Sequence, residues 1–247
     1  LALRRTQRES ESYYSGRFRR EVVLFDLVNG TTIPILSVTG DMNYPTVVRF
    51  APDEDLLLVG RYSGHLQVFD TKGRRRAGRR VFDRAVTAVA AGPDGFVVCG
   101  SNDGRIGFFN LQLVPMDISL PTKYARKILR IEVNPQTGDF AVLDETGALD
   151  VWSRGGARRI NLTSGTERWT SMAFDPQGAL LATSAGSAVY VFDVKPSSPT
   201  FGQRLQKFGQ AVSCEGMRLA GAKGLDAPAP SGKGTLGEWL MDRGATG

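Results

Sequence analysis

The chain has 247 residues, 41% of them hydrophobic, with 31 Lys and Arg against 25 Asp and Glu and a net charge of +6. That length fits one all-β domain, and no apolar run reaches the roughly 18 residues that a membrane-crossing helix needs. A single histidine, His65, removes Ser-His-Asp, Cys-His and multi-histidine metal sites as readings. The basic balance favours an acidic partner, whether nucleic acid, phosphorylated protein or an acidic protein face.

Residues 1–20 read as an Arg-rich, irregular first segment of an incomplete unit. Leu1-Ala2-Leu3 reads as a strand end and Ser10 to Phe18 as an enlarged loop. Glu21 to Leu27 reads as a strand, with Val28-Asn29-Gly30 as a tight turn before the next strand, Thr31 to Val38. Asn-Gly between apolar runs is a strong hairpin signal.

From there one pattern recurs. Arg49 to Asp70, Val89 to Asn110, Ile131 to Ser153 and Met172 to Asp193 each pass from an apolar strand end through a Pro turn into a second apolar strand. A polar, glycine-bearing turn then leads to an alternating strand that closes on an aromatic. The turn prolines Pro52, Pro93, Pro135 and Pro176 step by 41, 42 and 41 residues, and the closing aromatics are Phe25, Phe69, Phe109, Trp152 and Phe192. A period of about 40–45 residues with several strands per unit is the mark of a propeller-type array.

Outer strands are expected near Arg79 to Phe82, over Pro115 to Leu120, over Arg158 to Leu162 and over Gln203 to Phe208, with Thr71 to Gly78 as a turn. Residues 21–209 thus hold the regular units. Residues 210–247 parse as a last, eroded unit whose third strand ends near Trp239, interrupted by a Pro/Ala/Gly loop. The total is about six units of four antiparallel strands, with incomplete units at both ends.

The pattern resembles the WD40 family of β-propellers. Pro93-Asp94-Gly95 after an inner strand and Ser101-Asn102-Asp103-Gly104 before a third strand are similar to that family's turns. So are third strands ending in Phe25-Asp26, Phe69-Asp70 and Phe192-Asp193. The family's Gly-His dipeptide ahead of the inner strand is absent, and Trp152 is followed by Ser153 instead of Asp. The repeats are degenerate, and the family's His-containing buried network is not expected.

No catalytic, cofactor or metal constellation stands out, and a non-enzymatic protein is expected. Cys99 and Cys214 lie inside apparent strands without CxxC partners and read as buried thiols, which points to a reducing intracellular compartment. Ser231-Gly-Lys-Gly-Thr235 lacks the earlier glycine and the strand–helix setting of a phosphate loop. Asp53, Asp94 and Asp103 belong to turns, whereas Asp70 and Asp193 close strands, where such side chains bond nearby backbone.

In a propeller the loop before each inner strand rises on one face. Eight residues back from the turn prolines stand Tyr44, Ala85, Lys127 and Arg168, with Arg84, Arg126 and Trp169 beside them. Tyr44, Arg84, Arg126, Lys127, Arg168 and Trp169 are therefore the expected partner-binding rim, the arginines for carboxylate or phosphate and the aromatics as anchors. Arg74, Arg75, Arg76, Arg79 and Arg80 form a second basic cluster, on the opposite face or outer edge, that could contact RNA phosphates or an acidic partner.

The resemblance and these residues together imply a protein–protein interaction scaffold within a multisubunit complex. An RNA-associated structural subunit of a ribonucleoprotein particle such as a ribosome is the alternative. The family resemblance alone also raises a substrate-recognition propeller of a ubiquitin ligase.

Overall fold

In the computed structural model of the protein, the residues described are 2–8, 18–39, 43–52, 55–121, 124–163 and 168–208. They form five antiparallel sheets, each a meander in sequence order. The first holds β1 (Ala2–Arg8), β2 (Phe18–Phe25) and β3 (Thr32–Thr39). The second holds β4 (Pro45–Phe50), β5 (Leu56–Arg61), β6 (His65–Asp70) and β7 (Arg75–Arg80). The third holds β8 (Val86–Ala91), β9 (Val97–Ser101) and β10 (Ile106–Phe109). The fourth holds β11 (Ile128–Val133), β12 (Phe140–Asp144), β13 (Leu149–Trp152) and β14 (Arg158–Asn161). The fifth holds β15 (Trp169–Phe174), β16 (Leu180–Ala185), β17 (Ala188–Asp193) and β18 (Arg204–Phe208).

Successive sheets stack face to face, so the middle strands are buried on both sides. Leu57, Val59 and Phe69 pack against Val22 and Leu24 of the first sheet. Their neighbours Leu58, Leu66 and Val68 point the other way, onto Val89, Cys99 and Phe109 of the third. Side chains alternate across a strand, so a run such as Leu56-Leu57-Leu58-Val59 feeds two cores at once. Each leucine fully buried there contributes about 2 kcal/mol. Phe108 and Trp152 anchor the next layer, and Trp169, Tyr190 and Phe192 the one after. The leading strands β4, β8, β11 and β15 pack in sequence against one another, which places them nearest a common axis.

The residue after each closing aromatic ties down the outer turn. Asp26 accepts from the Val28 and Asn29 amides, Asp70 from Lys72 and Arg74, Asn110 from Gln112 and Val114, and Asp193 from Lys195. Ser153 does the same for Ala157. The bonding expected at Asp70 and Asp193 is therefore general to the repeat.

Three sequence expectations are corrected. Ala2–Arg8 is a full strand paired with β2 from Ala2↔Leu24 to Arg8↔Phe18, where irregular chain was expected. A ladder is made of backbone groups, and a polar run free of Pro and Gly supplies them as well as an apolar one. The turn read as Thr71 to Gly78 ends at Arg74. Asp70 and Gly73, the latter at φ +81, close it tightly, so the outer strand begins at Arg75. The outer strand expected over Pro115 to Leu120 is reduced to one bridge, Phe109↔Pro115. Leu113 sits at φ 60, Pro115 has no N–H, and beyond the Met116 amide the Ile118 amide turns back to the Met116 carbonyl. The eroded unit read over 210–247 lies outside the described residues.

Trp152 closes the third strand of the fourth sheet, and its indole N–H donates to the Tyr124 hydroxyl at 2.8 Å. That hydroxyl donates to Asp150 at 3.0 Å, and Asn161 donates to the other Asp150 oxygen at 2.6 Å. A tyrosine from the loop before β11 thus joins a buried polar network with Trp152 and Asp150.

Candidate partner-binding rim and axial cavity

The loops leading into the first strands are held by equivalent bonds. Tyr62 donates its amide to the Tyr44 carbonyl at 2.9 Å, Asn102 to Ala85 at 2.9 Å and Glu145 to Lys127 at 2.8 Å. Each donor belongs to the turn between the second and third strands of the same sheet.

The glycine of each such turn then meets the following loop. A Cβ on Gly64 would lie 2.8 Å from the Arg84 carbonyl, one on Gly104 2.8 Å from the Arg126 carbonyl, and one on Gly147 3.0 Å from the Arg168 Cα. All three glycines have φ between +80° and +86°, a region an L side chain rarely enters. The backbone of Arg84 and Arg126 is therefore set at equivalent points of two successive units, and Arg168, one residue further along at the position of Ala85 and Lys127, stands at the same end of the axis.

The three side chains are exposed. Arg168 donates to the Glu145 carbonyl. Among the described residues, no carboxylate pairs with Arg84 or Arg126. Asp83 is engaged instead with Arg80 at 3.7 Å and Arg105 at 3.6 Å. Lys127 is half-buried.

Tyr44 stacks on Tyr62 with centroids 4.8 Å apart, and the Arg20 guanidinium stands 3.8 Å over the Tyr44 ring. Tyr62, 43% exposed, presents its own ring on this rim and is absent from the sequence reading. The Arg61-Tyr62-Ser63 turn, at the same register as Asn102 and Glu145, was the available signal. His65 stays local, its Nδ1 3.0 Å from the Ser63 hydroxyl.

Trp169 is a correction. It is 1% exposed, its indole N–H bonds the Leu162 carbonyl at 2.9 Å, and it meets Tyr190 and Phe192 edge-on. One residue along a strand reverses the side-chain direction, so Arg168 faces water and Trp169 the core.

The second basic cluster runs along the outer strand β7, from the turn at Arg74 to Arg80, which pairs with His65 at the rim end of the sheet. Arg74 and Arg76 pair with Asp70 at 2.7 and 3.0 Å. Burial works against charge on Asp70, but bonds from the Arg74 amide and guanidinium outweigh it and hold the carboxyl down to about 2. Arg80 pairs with Asp83. Arg75 and Arg79 have no ion-pair partner among the described residues, which leaves fewer free cations there than the sequence offers.

A cavity of about 350 Å³ opens between the four leading strands, lined by Val47 and Arg49, Thr87, Leu129 and Arg130, and Thr170 among others. Arg49 stands 3.6 Å from Glu132. Burial raises the Glu132 carboxyl above its ordinary range, and Arg49 and Arg130 pull against that. Among the described residues, no group of three or more His, Cys, Asp or Glu could hold a metal ion.

Five stacked antiparallel meanders around one axis decide the architecture. The fold is propeller-like. No family model matches the chain, and no curated protein matches it. Among solved structures it is similar to a chain in the crystal structure of the mitotic checkpoint complex, with a TM-score of 0.67 and 15% identity over 79% of this chain and 60% of that one. It is also similar to the computationally designed Ika8 protein, with a TM-score of 0.57 and 17% identity over 80% of this chain and 60% of that one. The chain spans 60% of the length of each. At such identities the likeness is one of fold alone.

Proposed function

We propose that this chain is a non-enzymatic interaction scaffold built from degenerate WD40-type repeats, a subunit of a larger assembly. On this reading it docks an acidic or phosphorylated segment of a protein partner on the rim. One observation carries it: Arg84, Arg126 and Arg168, drawn from three successive units, stand at the same end of the axis with exposed side chains. Guanidinium forks so arranged hold carboxylate or phosphate bidentately, and a rigid sheet scaffold presents its loops at little ordering cost. The solved neighbour within a multiprotein complex supports a protein partner. A reducing compartment goes with this reading, since Cys99 is an unpaired buried thiol.

The test is affinity purification at low and high salt, with and without nuclease, from wild type and from the triple reversal Arg84→Glu, Arg126→Glu, Arg168→Glu. Partners that survive nuclease and are lost from the triple variant support the rim. Partners retained by that variant sink it.

A second reading, contact with RNA, rests on the exposed Arg75 and Arg79 of β7, which have no ion-pair partner among the described residues. Partners lost to nuclease and weakened by Arg75→Ala and Arg79→Ala would favour it, with the steep salt dependence of phosphate contacts.

A further inference from the structure

Thr46, Thr87, Leu129 and Thr170 occupy the same position of successive repeats, just inside the rim. The Thr46 hydroxyl donates to the Val86 carbonyl and the Thr87 hydroxyl to the Ile128 carbonyl at 2.7 Å, each stitching one leading strand to the next. Leu129 has no hydroxyl to continue the series, and Thr170 bonds Ser184 within its own sheet. The departure puts a leucine, 38% exposed, into the wall of the axial cavity, where Val47 and Ile131 extend the apolar lining.

The next residue, Arg130, is exposed in the same wall, and no carboxylate lies within ion-pair distance of it among the described residues. The cavity's other guanidinium, Arg49, is engaged with Glu132. A fork without a close ion pair, with Glu132 in its field, thus stands beside the exposed Leu129. About 350 Å³ is at the small end of ligand pockets, room for one or two side chains but not for a helix.

We propose that this cavity is the anchor pocket for an acidic peptide segment carrying an apolar residue next to its carboxylate. Arg130 takes the carboxylate in the bidentate geometry of charge-assisted pairs, and Leu129 with Val47 covers the apolar neighbour. The rim arginines around the opening draw the acidic segment in. This rests on the scaffold reading and adds an anchor and a sequence preference to it.

The experiment is fluorescence anisotropy of the full chain with three labelled, N-acetylated octapeptides, alternating Asp with Leu, Asp with Ser, and Lys with Leu. The Asp/Leu peptide is expected to bind about 10-fold tighter than Asp/Ser, and Lys/Leu not at all. Leu129→Thr should erase the preference for Asp/Leu while leaving Asp/Ser binding as it was. Arg130→Gln should weaken both acidic peptides. Both side chains are exposed, so unchanged thermal melts check that the variants are folded.

Equal affinity for the two acidic peptides, no binding of either, or wild-type binding by both variants overturns the proposal. The rim is judged separately, by the triple reversal. If that variant loses its partners while Leu129→Thr and Arg130→Gln keep them and bind the peptides as wild type does, the anchor is wrong and the scaffold reading stands.

Discussion

Trp152 and Tyr124, 28 positions apart in sequence, share a hydrogen bond of 2.8 Å in the core, the indole N–H donating to the phenol oxygen. Burial pushes the Tyr124 hydroxyl up, and the facing Asp150 carboxylate adds to the rise, so the group remains a donor throughout the working range of pH. Tyr124→Phe would keep the ring's packing and strand the Trp152 N–H and an Asp150 oxygen. The expected loss is about 1–3 kcal/mol, read as a lower urea midpoint at unchanged slope. A midpoint equal to wild type would mean that water replaces the hydroxyl.

Two glycines separate backbone strain from steric clash. Gly64 and Gly186 both have positive φ, but a Cβ on Gly64 would lie 2.0 Å from the Phe82 carbonyl, whereas one on Gly186 meets nothing within 4 Å. Gly186→Ala should cost about 1 kcal/mol from conformation alone. Gly64→Ala should cost several times more, because the loop carrying Arg84 must move. Equal melting temperatures for the two variants would refute the close packing of turn against rim.

Asp70 makes the turn before β7 sensitive to acid. Its carboxyl is held at about 2 in the fold, below its ordinary 3.8, so the ionised form stabilises the folded state. The advantage of wild type over Asp70→Asn should be full above about pH 4 and fade as the pH falls toward about 2. Melting temperatures of both proteins across that window would show it. A difference that widens on acidification contradicts the assignment.

Cys99 is fully buried, and burial pushes its thiol well up. In a Cys214→Ser chain, a disulfide reagent should leave the native protein unlabelled, with a rate that rises with urea as the chain opens. Prompt labelling without denaturant would show that the sheets do not seal this layer.

The placement of the loops before the leading strands was legible because it is periodic. Counting back from Pro52, Pro93 and Pro135 reaches Tyr44, Ala85 and Lys127, whose carbonyls accept the same bond in three units. The anchoring role of Trp169 was misjudged because counting finds a position along a strand, not the side on which its side chain leaves. The reach of the β7 arginines was overstated for a different reason. Asp70 and Asp83 bind three of the five, and ion pairs of that kind follow from how a turn closes.

The sequence by itself determined the array: its period, its antiparallel units, its turn prolines and the Asp, Asn or Ser that follows each closing aromatic. All of these are local signals, carried by turn chemistry and by apolar runs too continuous for a sheet with one wet face. Only the tertiary structure decided what stands beside what across units. The Tyr124 bond to Trp152 and the meeting of Leu129 and Arg130 with Val47 and Arg49 arise where distant parts of the chain pack around one axis. No pattern within a single repeat records the distance between two of them.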